Sequence, residues 1–144
     1  MAKIISINKS EKKGTVKMPR EIGFLEENTG LRGDAHADGS HRQLSLLAAE
    51  SYEEMYKLGA DLLPYGVFAE NITTEGIELH TLPIGAKLKI GECEVEVTQI
   101  GKECHHGCEI FKKVGTCVMP KKGIFARILK GGEIRVGDKI EVLK

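Results

Sequence analysis

Three of the four cysteines and two of the five histidines fall between residues 104 and 117, in the stretch Cys104-His105-His106-Gly107-Cys108 … Cys117. Thiols and imidazoles are soft or borderline metal ligands and good nucleophiles, so three chemistries compete here: a metal site, a reactive thiol, or a sulfur carrier. Cysteine also packs as a small apolar residue. This segment, however, is rich in Gly, Lys and His rather than in core residues, which favours chemistry over packing. An ordinary thiol has a pKa of about 8.5, so only a few per cent is thiolate at neutral pH. Lys102, His105 and His106 would lower that of Cys104, while Glu103 and Glu109 oppose them. Zinc is the rival reading: Cys104 and Cys108 stand at knuckle spacing, and Cys117 with His106 would complete four ligands. The lack of a second close pair counts against it.

Two further segments carry polar chemistry. Gly33-Asp34-Ala35-His36-Ala37-Asp38-Gly39-Ser40-His41-Arg42-Gln43 places histidines, aspartates and an arginine in one glycine-containing loop. It is a weak metal signal and a better pocket lining, in which Asp orients His and Arg42 holds an anion. Glu70-Asn71 sits between apolar residues, where an acceptor and an amide could read a ligand or simply cap a turn.

The elements that must position these groups are mostly strands. Ala2–Ile7, Gly14–Met18, Gln43–Ala48, Gly123–Leu129 and Lys139–Leu143 read as strands, and Ala49–Leu58 as the one helix, stopped by Gly59. Tyr52, Met55 and Tyr56 share one side of that helix and read as packing residues. Ala86–Ile90 and Cys93–Ile100 form a hairpin turned at Gly91-Glu92. In it Cys93, Val95 and Val97 point inward while Glu94 and Glu96 face water. Gly131-Gly132 marks another turn. Leu82–Ile90 and Ile134–Val142 echo one another, each an apolar pair, a glycine turn and an alternating strand, so Gly85 and Gly137 are expected at positive φ. Two such corners suit a small barrel, which leaves few sheet edges exposed.

The composition is that of an ordinary globule. Its 144 residues carry 21 Lys plus Arg against 21 Asp plus Glu, so no global charge draws the chain to nucleic acid or anionic membrane. No stretch is apolar enough to span a bilayer, and the amino end lacks a signal-peptide core. A single domain over 1–144, located in the cytosol with reduced thiols, is the expectation.

Taken in order, Gly33-Asp-Ala-His36 … His41-Arg-Gln43, Glu70-Asn-Ile-Thr73, Thr98-Gln-Ile-Gly-Lys-x-Cys104, Gly123-Ile-Phe-Ala-Arg127 and Val136-Gly-Asp138 resemble the MOSC domain, the family named for the C-terminal part of molybdenum cofactor sulfurase. The resemblance implies a mainly β fold, a barrel related to the small barrel domain of pyruvate kinase, with a few short helices. It implies a domain that binds molybdenum cofactor (molybdopterin) and handles sulfur. Cys104 matches the signature cysteine, which carries sulfur as a persulfide in some members and ligates molybdenum in the reductase branch. Lys102, His105 and Cys108 would assist it, with a cysteine desulfurase as the kind of sulfur donor. Asp34, His36, His41, Arg42, Gln43, Glu70, Asn71 and Arg127 would line the cofactor pocket, with Arg42 and Arg127 on its phosphate. Glu103 departs from the proline commonly found before the cysteine, and His105, His106, Cys108 and Cys117 are additions that keep zinc in play. The pyridoxal-phosphate domain of full-length sulfurases has no counterpart in these residues. A molybdenum-dependent reductase of N-hydroxylated compounds and a zinc-stabilised binding module remain the alternatives.

Overall fold

The computed structural model describes residues 2–10, 18–34, 43–57, 70–101 and 123–143. Its elements in chain order are β1 (Lys3–Lys9), β2 (Met18–Arg20), β3 (Ile22–Glu26), β4 (Gly30–Leu31), β5 (Leu44–Ala48), α1 (Ala49–Lys57), β6 (Ile72–Glu75), a 3-10 turn (Leu79–Thr81), β7 (Lys87–Ile90), β8 (Cys93–Ile100), β9 (Ile124–Lys130), β10 (Gly132–Arg135) and β11 (Ile140–Leu143). The main sheet runs β11-β7-β8-β9-β5-β6-β1-β2. Every pair in it is antiparallel except β5–β6, which the α1 crossover makes parallel.

The sheet curls until its ends meet. β1 divides its hydrogen-bonding edge: Ile7 to Lys9 pair with β2, and the amino-terminal half reaches β11. There Lys3 bridges Lys139, and the Ile4 and Ile140 N–H groups donate to the carbonyls of Asp138 and Ala2. The result is a barrel, closed through β1-β6-β5-β9-β8-β7-β11, as the strand pattern led one to expect. Closure satisfies backbone groups that an open edge would leave to water or to another chain.

Side-chain alternation sorts residues to the two faces of this wall. Ile4, Ile7, Leu44, Leu46, Ile72, Leu88, Ile90, Cys93, Val95, Val97, Ile124, Ala126, Ile128 and Ile140 fill the interior. On the outside, opposite charges face each other across strands. Glu141 opposes Lys89, which opposes Glu94, and Lys87 opposes Glu96, which opposes Arg127. Such exposed pairs contribute little stability individually, at most about 1 kcal/mol, but set the register in which every apolar residue points inward.

The echoed corners behave alike. Gly85 and Gly137 both adopt φ 94°, and the strands that follow them, β7 and β11, pair directly with Ile90 opposite Ile140. The strands β3, β4 and β10 form a second, three-stranded sheet that the alternation rule misses, because its β3 inverts the usual pattern. Gly23 points into the barrel, where an added Cβ would lie 2.9 Å from Leu31 Cδ1 and 3.0 Å from Ile7 Cγ2. The bulky Ile22 and Phe24 face outward instead, Phe24 under the Arg32 guanidinium at 4.1 Å. Of the expected Gly14–Met18 strand only Met18 falls within the described residues, where it opens β2.

At the β9–β10 corner a Cβ on Gly131 would lie 2.3 Å from the Leu25 carbonyl oxygen. Gly131→Ala should therefore push the two sheets apart and cost about 1–3 kcal/mol, the usual range for overpacking. A chemical-denaturation curve should show the midpoint lowered at unchanged slope; an unmoved midpoint would contradict this close approach.

Candidate functional site

Of the polar residues singled out in the sequence, Gln43, Glu70, Asn71 and Arg127 fall within the described residues on the outer wall of the barrel, where β6, β5, β9 and β8 lie side by side. At its centre is a clasp between Asn71 and Ser45. The Asn71 Oδ1 accepts from the Ser45 N–H at 3.0 Å and from the Ser45 hydroxyl at 3.1 Å, while the Asn71 N–H donates to the Ser45 carbonyl and to Ser45 Oγ, both at 2.9 Å. The Asn71 Nδ2 donates to the Asn8 carbonyl at 3.3 Å, and the Asn8 N–H returns a bond to the Asn71 carbonyl at 2.6 Å. Three strands, β1, β5 and β6, are thus held at one level by a single amide.

Glu70 lies beside the clasp with no exposure at all. One carboxylate oxygen, Oε2, accepts from the Tyr52 hydroxyl at 2.6 Å and from the Thr73 hydroxyl at 2.8 Å. Thr73 Oγ1 accepts in turn from Asn8 Nδ2 at 3.0 Å. The chain Asn8–Thr73–Glu70–Tyr52 ties β1, β6 and α1 together through alternating donors and acceptors. Tyr52, read from sequence as a packing residue, is buried as expected and also supplies this hydroxyl. Buried carboxylates persist where hydrogen bonds offset their desolvation.

Asp34 and Gln43 flank the wall. Asp34 is buried, and its Oδ1 accepts from the Ser10 N–H at 3.0 Å. Gln43 is 4% exposed, and its Oε1 accepts from the Ile128 N–H at 3.0 Å, so the side chain acts as one more rung between β5 and β9. Leu44 opposes Ala126, so Gln43, one residue earlier, stands beside Arg127, one residue later. Arg127 shares its strand face with the buried Phe125, yet its side chain is 48% exposed and its Nε donates to Glu96 Oε1 at 2.6 Å. Burial of Phe125 therefore does not draw Arg127 inward: the two share the outer wall, Phe125 buried and the Arg127 guanidinium exposed.

From the clasp a row of outward residues crosses the strands. Ser45 opposes Phe125, Phe125 opposes Gln99, and the Gln99 side-chain amide donates to the Gly101 carbonyl at 2.8 Å. Gly101 N–H bonds the Gly123 carbonyl at 2.6 Å, which pins together the two ends of the 102–122 segment. Cys104, His105, His106, Cys108, Cys117 and Lys102 belong to that segment, and His36, His41 and Arg42 to 35–42; all lie outside the described residues. Along β5, Gln43 and the level of Gly123 are four residues apart, about 13 Å. The two segments leave opposite ends of the β5–β9 ladder, with the Asn71–Gln99 row between them.

Asp34, Glu70 and Asn71 thus spend the acceptors described above on the chain itself and serve as braces. The donors that a phosphate-bearing pterin would need are of the kind carried by the Gln43 amide and the exposed guanidinium of Arg127. These two residues stand together and fit such a group. No set of three or more His, Cys, Asp and Glu side chains among the described residues is placed to hold a metal. The network partners Asn8, Ser45 and Thr73 were not anticipated. Their signal was a polar residue inside an apolar run, as in Leu44-Ser45-Leu46.

Comparison with known proteins agrees with this architecture. The family model described as the MOSC domain matches residues 33–141. An uncharacterized protein of Bacillus subtilis, YflK, is 25% identical over 142 residues, covering 90% of this chain; the chain spans 63% of that relative's length. The crystal structure of YuaD from B. subtilis superposes with a TM-score of 0.81 at 18% identity, covering 98% of this chain and 94% of that one. YiiM from Geobacillus stearothermophilus gives 0.74 at 18% identity, over all of this chain and 76% of the other. At these identities the two structures establish the fold alone.

Cys93 faces the core. Burial, then the nearby Glu92 and Asp138 carboxylates, push its thiol up to about 11 against the small opposing pull of Lys130. The folded protein therefore holds this proton where the unfolded chain has begun to lose it, so the stability that Cys93 contributes is lost as pH rises from the ordinary thiol range toward about 11. Native alkylation near pH 8 followed by peptide mapping should leave Cys93 unlabelled, and denaturation should expose it. Rapid native labelling would contradict the inward register of β8.

Proposed function

This chain belongs to the MOSC domain family, a family of molybdenum-cofactor-binding domains, and on that premise we propose that it is a molybdopterin-binding sulfur carrier that holds sulfur on Cys104. The observation that carries the reading is the outer wall itself. It sets the donors of Gln43 and Arg127 beside a braced row that ends at Gly101, three residues before Cys104. Lys102, His105 and His106 surround that thiol in sequence and favour its thiolate.

The cofactor, when bound, supplies a molybdenum centre with affinity for soft sulfur ligands. This chain's residues would hold it through charge-assisted hydrogen bonds. Arg127 and Arg42 would take the phosphate, with Gln43 and the polar 35–42 segment (His36 and His41 within it) completing the pocket. Asn71, Glu70 and Asp34 act indirectly, by fixing the strands from which those groups project.

Sulfur loading balances as a simple exchange. The Cys104 thiolate attacks the outer sulfur of a donor persulfide, of the kind a cysteine desulfurase carries. The donor's S–S bond breaks, its cysteine leaves as thiolate, and Cys104 becomes the persulfide. Attack by Cys108 thiolate on the inner sulfur would then release hydrosulfide and leave a Cys104–Cys108 disulfide. That disulfide needs an external dithiol to reset it.

Incubation with a persulfide donor should add about 32 Da, one sulfur atom, to the peptide containing Cys104, and Cys104→Ser should abolish the adduct. Elemental and pterin analysis of the purified protein should find molybdenum. Arg127→Ala should weaken cofactor binding about tenfold or more, the loss of one charge-assisted contact. An adduct only on other cysteines, zinc in place of molybdenum, or undiminished affinity of Arg127→Ala would each overturn the corresponding assignment.

A further inference from the structure

The three-stranded sheet turns apolar side chains toward solvent. Because Gly23 points into the barrel against Leu31 and Ile7, its neighbours Ile22 and Phe24 project outward. Ile22 is 51% exposed, Phe24 37% and Val136, just past the end of β10, 42%, so three large apolar side chains are left on this surface. Exposed apolar patches rimmed by charge mark interaction surfaces. The strand register places the charges. Glu133 lies opposite Phe24 and Arg135 opposite Ile22, and cross-strand partners share a face. An acidic and a basic group therefore stand one on each side of the Ile134 level. They pair within the chain, Arg135 Nε to Glu133 Oε1 at 2.7 Å, yet remain 63% and 48% exposed. A notch of about 340 Å³ opens beside them, lined by Glu21, Ile22, Arg135 and Val136. Phe24 stands two residues along β3 from that notch, with the Arg32 guanidinium over its ring.

We propose that two copies of the chain associate through this face, about a two-fold axis that crosses the strands at the level of Gly23 and Ile134. That operation turns the pattern onto its own complement, as an isologous interface requires. It carries Phe24 of each copy over Ile22 of the other, at the notch beside Val136. It carries Glu133 of each copy over Arg135 of the other, so that four charges alternate in sign. A slip that set Glu133 against Glu133 would repel, so the charges also fix the register. An unrelated partner would have to supply both the aromatic knob and the reversed charge order; a second copy has them by symmetry. Three apolar side chains fall short of the roughly 800 Å² per partner of a standard stable interface, so the dimer is reversible and its population follows protein concentration. The carrier role uses none of these residues, and this surface stands independently of it.

Sedimentation velocity of the full chain over a wide concentration range should show a monomer–dimer equilibrium. Phe24→Ser should raise the dissociation constant about tenfold or more, the loss of an aromatic anchor. Glu133→Arg and Arg135→Glu should each be monomeric alone, because like charges then face one another across the axis. An equimolar mixture of those two variants should dimerise again, since every charge on one copy meets its opposite on the other. Persulfide loading of Cys104 should be unchanged in all three variants. A wild-type chain that stays monomeric at its highest soluble concentration would overturn the proposal. So would a dimer that survives Phe24→Ser and both charge variants, or a mixture of variants, folded by circular dichroism, that remains monomeric. Loss of persulfide loading with the dimer intact would instead sink the carrier role and leave this interface standing.

Discussion

The clasp between Asn71 and Ser45 is the interaction on which the rest of the wall depends. It forms where the one parallel pair begins, at the end of a crossover that brings β6 in beside β5. Parallel pairing at a sheet interior leaves amides and carbonyls at its mouth that water cannot reach. Asn71 answers them with both ends of its side chain, and Asn8 answers the next group on β1. Removing a buried partner of this kind costs the desolvation of whatever it leaves unpaired, about 1–3 kcal/mol for each group. Because three strands share the clasp, a shift there would propagate to the register of β5 against β9, and through it to Gln99 and Gly101.

The interior of the barrel is a packed core, and the polar network lies outside it. This division follows from size. A ring of this few strands fills with Ile, Leu and Val from successive layers and leaves no lumen for a ligand. Polar residues in the alternation are therefore turned to the outer surface, where Ser45, Gln43, Phe125 and Arg127 share one wall. The same alternation puts Cys93 inside, where burial and neighbouring carboxylates keep its proton on.

The outer wall also shows how one residue type is divided between bracing and binding. Asp34, Glu70 and Asn71 look from sequence like ligand-reading groups, and the structure has them holding the chain's own N–H and O–H groups. Gln43 braces as well, its oxygen accepting from the Ile128 N–H of β9. Fixing the strands of such a wall consumes polar side chains within it.

Much of the barrel was legible in the chain alone. The period-two runs of β7, β8 and β11, the hairpin turn at Gly91, the positive φ of Gly85 and Gly137, and the burial of Cys93 are local properties. Each follows from alternation or from what a side chain permits at one φ. The ordered motifs around Asp34, Asn71, Cys104 and Arg127 likewise marked the family before any strand was paired. What the tertiary structure alone decided is which polar residues spend their hydrogen bonds on the fold. That Asn8 and Ser45 meet Asn71, that Tyr52 reaches Glu70, and that Arg127 stands beside Gln43 depends on pairings between strands distant in sequence. The β3 strand escaped for the same reason: Gly23 faces inward because Leu31 and Ile7 leave no room, a constraint set by neighbours far along the chain and invisible in its own alternation.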